Sequence, residues 1–265
     1  MSVYADLIRY RELFGNLFRR DVQAKYRGSL LGLLWTLANP VLLMAVYLLV
    51  FSVLWKTPFG SGGHYGLFLL VGLSAWIFVA SSVQSASRSL LDNANLIRKT
   101  RFPRQLVPLS IVATHLISFG VMLAALLVLN FALLPRVRDT EWLAIPIGLG
   151  VVAIACGLAL AIACLNVLFR DVEFLVAALL LPLFFLTPVL YPLDDPQIAR
   201  RDWVVDLIHW GNPLSPAVQA LRDPLFYGRL PRLGDVVYLA VAALAALALG
   251  AFVFRRVDDQ IAVEV

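Results

Sequence analysis

Charge is nearly absent from most of this chain. From Leu30 to Trp55 there is no Asp, Glu, Lys, Arg or His, and only 15% of the 265 residues are charged against 61% hydrophobic. A water-soluble domain carries roughly a quarter charged residues, so this apolar surplus cannot be hidden in one aqueous core. Cysteine is scarce as well. Cys156 and Cys164 are the two in the chain, and their helical separation of about 12 Å exceeds disulfide reach. The three histidines, His64, His115 and His209, lie in unrelated segments without metal-ligand spacing. No Gly-x-Ser-x-Gly turn, His-Glu-x-x-His pair or Walker A loop occurs. These absences argue against a serine hydrolase, a zinc enzyme and a chain that hydrolyses nucleotides itself.

What the sequence does have is apolar runs long enough to cross a bilayer, which takes about 20 residues. Six are expected, at about 30–54, 66–87, 106–134, 142–168, 174–190 and 236–254. All 22 Lys and Arg and all 17 Asp and Glu fall outside them. A wrong partition would have trapped several charges, each unfavourable by at least about 2.5 kcal/mol at mid-bilayer. The N-terminus, 88–104, 169–173 and the C-tail hold 14 of the basic residues, and the other side holds eight. The positive-inside bias therefore predicts both termini in the cytoplasm. The basic balance reads as anchoring to anionic lipid rather than nucleic-acid binding. The first apolar run is span-length and lacks a small-residue cleavage site, so it is expected to stay as a span rather than be removed as a signal peptide.

Three segments between the spans carry structure of their own. Residues 3–20 place Val3, Tyr4, Leu7, Ile8, Tyr10, Phe14, Leu17 and Phe18 on one side of a helix. This predicts an amphipathic helix on the membrane surface or one packed on a partner. Leu90, Leu91, Ala94, Leu96 and Ile97 make a short apolar ridge that Pro103 ends, which suits docking to another protein on the cytosolic side. "WVVDLIHW" (203–210) and "LSPAVQALRDPLFYG" (214–228) predict two short outer helices dipping back toward the membrane. Within the spans the lone His115 is expected to satisfy an interhelical hydrogen bond. A proton-coupled carrier would place a charged group there, so the energy for any transport is expected from elsewhere.

Five stretches in register resemble one family over nearly the whole chain. They are "RDVQAKYRGSLLGLLWTLANP" (20–40), "NANLIRKTRFPRQLVP" (93–108), "LNVLFRDV" (165–172), "LTPVLYPLDD" (186–195) and "NPLSPAVQALRDPLFYG" (212–228). Together they resemble the membrane subunits of ABC-type polysaccharide exporters, those for lipid-linked O-antigen or teichoic acid first and capsule exporters next. The resemblance implies an all-α integral membrane permease of six spans in one domain, 1–265. It would have an N-terminal interface helix (1–28), a cytosolic coupling loop (88–104) and re-entrant outer gate helices (191–235). It further implies a homodimer in a bacterial inner (plasma) membrane, driven by two copies of a separate ATPase. The chain itself would hold no cofactor, ATP and Mg being bound by that partner, and would not be an enzyme. A drug or lipid exporter of the same architecture, or a noncatalytic scaffold of a glycan-assembly complex, stands as the alternative.

Site residues follow as expectations. Thr36, Asn39, Tyr47 and Phe51 share one side of span one, and Phe184, Phe185 and Tyr191 lie at the end of span five. A glycan path needs hydrogen-bonding and aromatic surface, although Thr and Asn serve equally as helix-packing groups. Leu96, Ile97, Phe102, Pro103, Arg170 and Asp171 would couple to the ATPase. Arg20, Asp21, Lys25, Tyr26 and Arg27 sit where the chain meets the membrane. They would bind lipid head groups, with Asp21 orienting an arginine toward phosphate, or act as a plain positive-inside anchor.

Overall fold

The computed structural model describes residues 9–28, 32–50, 64–100, 102–134, 139–193 and 202–264. These form ten α-helices and, among the described residues, no strand: α1 (Arg11–Tyr26), α2 (Trp35–Leu48), α3 (Tyr65–Asp92), α4 (Ala94–Lys99), α5 (Leu106–Leu133), α6 (Ala144–Leu168), α7 (Val172–Leu186), α8 (Asp202–Gly211), α9 (Leu214–Arg222) and α10 (Leu233–Glu264). A π-helical turn, Asp223–Tyr227, extends α9.

Four helices are long and apolar enough to cross a membrane: α3, α5, α6 with its leading 3-10 turn, and α10 up to Asp258. They match the expected second, third, fourth and sixth spans. α3 is the central staff, with 78% of its most apolar stretch buried, whereas α10 has 17% and lies on the perimeter. α2 and α7 are apolar but shorter, at 14 and 15 residues. Residues 30, 31 and 51–54 of the first expected span, Phe51 among them, lie outside the described residues.

α7 stops four residues before the expected end of its span, and proline chemistry is the reason. Pro188 disfavours helical backbone in the residue before it, and Thr187 is extended at φ −86°, ψ 130°. The turn at 187–190 then exposes carbonyls that need donors if they lie at membrane depth. Buried side chains supply them. Arg222 donates from both terminal guanidinium nitrogens to the carbonyls of Pro188 and Val189. The Tyr65 hydroxyl donates to the Leu190 carbonyl at 2.6 Å, and Asn212 donates to Thr187 Oγ1 at 2.7 Å. α9 is thus stitched against the end of α7 and the flank of α3.

The bundle has two ends. One, here termed the basic end, gathers α1, α4, the 169–171 turn and the last turns of α10. A distinct apolar cluster holds it together, with Leu17, Leu90, Ile97, Leu106, Val107, Leu160, Cys164, Phe254 and Val257 all buried. Arg104 fastens the 102–105 turn to α10, bonding the Asp258 carboxylate at 3.0 Å and its carbonyl. Residues 1–8 of the expected interface helix (1–28) lie outside the described residues, and α1 runs to Tyr26, six residues past the amphipathic stretch 3–20. Nothing in "DVQAKY" breaks a helix, and the stop comes at Gly28, whose φ of 77° suits glycine. Leu17 is buried against the bundle, so α1 packs on its own chain along α5.

Candidate functional site

Where α1 climbs beside α5, the structure opens a cavity of about 300 Å³ between α1, α2, α3 and α5. Its walls are largely apolar but carry polar side chains from four helices. α2 contributes Thr36 and Asn39, α3 contributes Ser74 and Ser81, α5 contributes His115 and Ser118, and α1 brings Lys25 and Tyr26. Helical spacing explains the pairs on α2, α3 and α5, since residues three, four or seven apart share a face; Lys25 and Tyr26 are neighbours at the end of α1. Phe78 and Phe119, stacked at 4.8 Å, also line it.

One hydrogen-bonded chain organises the cavity wall. Lys25 Nζ donates to Ser118 Oγ at 2.9 Å and lies 3.4 Å from His115 Nδ1. The Tyr26 hydroxyl shares Ser118 at 3.2 Å. An ammonium has no lone pair to offer, so Nδ1 faces it as the acceptor. Nε2 then carries the proton and donates to Ser85 Oγ at 3.0 Å on α3. His115 therefore bridges α1, α3 and α5, the interhelical role expected of it. Lys25 itself is exposed and holds a positive charge at the cavity wall.

The rest of the Arg20-to-Arg27 cluster is sorted by this packing. Arg20 reaches Asp21 Oδ1 through Nε and Nη2 at 3.0 and 2.8 Å, while Asp21 Oδ2 accepts from Ser110 at 2.7 Å. Asp21 thus pins Arg20 to α5. Arg27 is exposed just past the helix end.

The expected aromatic path divides in two. Thr36 and Asn39 reach the cavity, but Tyr47, at the far end of α2, stacks on Phe184 at 5.9 Å. Phe184 is buried and also packs on Trp76 at 5.5 Å, so it is an anchor of the core. Phe185 stands beside it, exposed, and its carbonyl accepts from the Tyr191 hydroxyl at 3.0 Å.

The expected coupling residues also separate. Ile97 is buried in the basic-end cluster, with Leu96 and Phe102 half-buried against it and Pro103 beside them. The apolar ridge of α4 thus packs inward, and the exposed face offers Asn95, Arg98, Lys99 and Thr100. Arg170 and Asp171 are exposed in the turn before α7 and, among the described residues, form no ion pair with each other. Asn166 holds that turn by accepting the Glu173 N–H at 2.9 Å, and Arg88 reaches Glu173 from α3 at 3.3 Å.

Sequence reasoning passed over Ser74, Ser81 and Ser118 as cavity residues. Their spacing carried the signal: 74 and 81 are two helical turns apart, and 115 and 118 share a face.

Known proteins resemble this chain over most of its length. The ABC-2 type transporter family matches residues 12–226. The O-antigen export system permease protein RfbA of Myxococcus xanthus is 33% identical over 264 residues, covering 97% of this chain and 96% of that protein. The protein of the same name from Klebsiella pneumoniae is 31% identical over 80% of this chain and 79% of its own length. The polysialic acid transport protein KpsM of Escherichia coli is 22% identical over 92% of each.

Proposed function

This chain belongs to the ABC-2 type transporter family, and from that premise we propose that it is the permease subunit of an ATP-driven exporter of lipid-linked polysaccharide of the O-antigen class. The observation that carries the reading is the end-to-end 33% identity with an O-antigen export permease. The polar side chains on the cavity wall support it physically, because a hydrated glycan needs hydrogen-bonding partners that bare leucine does not offer.

In this reading two copies of the chain form the conduit in the inner membrane and two ATPase subunits bind at the basic end, which faces the cytoplasm. α2 and α7 complete six spans. α7 covers only about 22 Å as helix, and the clamped turn at 187–193 carries the chain onward. The lipid carrier's phosphate is held at Lys25 and Arg27. The sugars lie against Thr36, Asn39 and the serines of α3, then leave past Tyr47, Phe185 and Tyr191. No bond is made or broken by this chain, whose work is binding and conformational coupling.

Depleting the chain is expected to remove polysaccharide from the cell surface and to build it up on the internal lipid carrier. Rescue with the native chain should restore both, whereas Lys25→Met should restore roughly a tenth of the export or less, the size expected for losing one hydrogen bond to a charged group. Normal surface glycan after depletion would point instead to a drug or lipid cargo.

The exposed cations test coupling without touching the core. Lys99→Glu and Arg170→Glu are each expected to leave the protein folded and in the membrane while lowering the yield of co-purified ATPase several-fold. Export should fall in step. A wild-type yield in both variants would move the ATPase contact away from α4 and the 169–171 turn.

A further inference from the structure

At the end of the bundle opposite the basic one, a second cavity of about 330 Å³ opens between α8, α9, α10 and the 228–232 loop. We propose that it is a saccharide-binding site that holds a unit of the glycan as it leaves, an inference that rests on the exporter reading above. Six residues carry the argument: Asp206, His209 and Trp210 from α8, Gln219 from α9, and Arg229 and Asp235 at the loop and the start of α10.

The charges of this cavity are largely matched within it. His209 Nε2 and Asp235 Oδ1 lie 2.7 Å apart, both groups being buried. Arg229 Nε donates to the buried Asp223 at 2.8 Å, and Asp223 also accepts the Arg232 backbone N–H at 3.3 Å. Such internal pairing leaves no strong excess of either sign to select a phosphate or a metal cation. A staple between α8 and α10 accounts for His209 and Asp235, and the Tyr238 hydroxyl adds another by donating to the Trp210 carbonyl at 2.6 Å.

Stapling accounts for part of Trp210, whose ring packs on His209 at 4.4 Å and on Tyr238 at 5.4 Å, but not for the exposed part of that ring, nor for Asp206 and Gln219. Asp206 is exposed, Gln219 is half-buried, and the Trp210 indole is 43% exposed, all on one cavity. A carboxylate and an amide for hydroxyls, beside an amphipathic ring for C–H faces, match a hydroxyl-rich ligand of low charge. The buried His209–Asp235 pair holds that wall rigid. The volume falls at the lower edge of small-ligand sites, about 300–1,000 Å³, which suits one short segment of a sugar chain. Leu193 also lines the cavity and follows closely on Tyr191, so the site adjoins the proposed exit.

The test uses the full permease–ATPase complex in lipid nanodiscs, titrated calorimetrically with oligosaccharides released from the cell's own surface polysaccharide and separately with inorganic phosphate. Saturable oligosaccharide binding is expected, weakened at least tenfold by Asp206→Ala and by Gln219→Ala, with neither variant changing the elution profile of the complex. No binding to the native complex, or binding that both variants leave intact, overturns the site. Phosphate binding lost in the same variants overturns the ligand class. These results are separable from failure of the exporter reading, which would appear as unchanged surface glycan on depletion of the whole chain.

Discussion

Arg222→Leu is expected to lower the melting temperature of the detergent-solubilised protein by on the order of 10 °C and to abolish export. Arg222 is fully buried, and its guanidinium carbon sits 3.6 Å from the centre of the Phe68 ring. Its two terminal nitrogens cap the Pro188 and Val189 carbonyls. The carboxylate next in sequence, Asp223, is engaged by Arg229 instead, so the buried cation relies on backbone dipoles and a ring face. Leucine would fill part of the space but orphan both carbonyls, at about 1–3 kcal/mol each, and remove a cation–π contact of about 2 kcal/mol. These losses add to about 4–8 kcal/mol, which the apolar packing of leucine offsets by about 1.5–3 kcal/mol, leaving a net loss of a size comparable to breaking a buried ion pair. Arg222→Lys should fall between, because an ammonium on a single stem lacks the planar fork that reaches two carbonyls at once. The measurement is thermal unfolding followed by size-exclusion chromatography. A wild-type melting profile for Arg222→Leu would mean that the 187–190 turn is held without the arginine.

How much of this was legible beforehand depends on the range of the interaction concerned. α3, α5, α6 and α10 follow from uncharged runs, since burial in lipid is a property of each segment alone. The early stop of α7 was also local, encoded in Pro188, but an unbroken apolar run to Leu190 hid it. Thr36 and Asn39 were found from the spacing on span one. The serines facing them were not, because a serine in an apolar helix gains meaning only when its neighbours are known. Arg222 reads in isolation as the polar edge of an amphipathic helix. That its partners lie more than 30 residues upstream, across α3, is a fact of tertiary packing. The inward side of α4 was hidden for the same reason: Ile97 is buried only because Leu17 and Leu106 join it in one cluster. His209 with Asp235 and Gly157 with α10 are likewise pairings that no local period contains.

Gly157→Ala, one added methyl, is expected to destabilise the protein as severely as the loss of Arg222. α6 and α10 cross with their backbones in contact. A Cβ at Gly157 would fall on the backbone of Ala246 and Leu247, and one at Gly250 would fall on the backbone of Gly157 itself. In a bilayer, apolar side chains gain nothing by leaving lipid for protein, so helix association rests on close packing that small residues permit. Overpacking usually costs about 1–3 kcal/mol because a side chain can move aside. Here the obstacle is main chain, so the whole helix must shift. α10 carries Phe254 and Val257 into the basic-end cluster and Asp235 into the pair with His209, so a shift would loosen both ends of the bundle together. A control sits on the same helix. A Cβ at Gly148 would meet the Phe119 ring at 3.5 Å, an ordinary contact, and alanine there gains helix propensity of up to about 1 kcal/mol. Gly148→Ala should therefore melt within a few degrees of wild type, and Gly157→Ala about 10 °C lower or as aggregate. Equal melting of the two variants would show that α10 can stand off from α6 without loss, and the close crossing would then not be what holds the last helix in place.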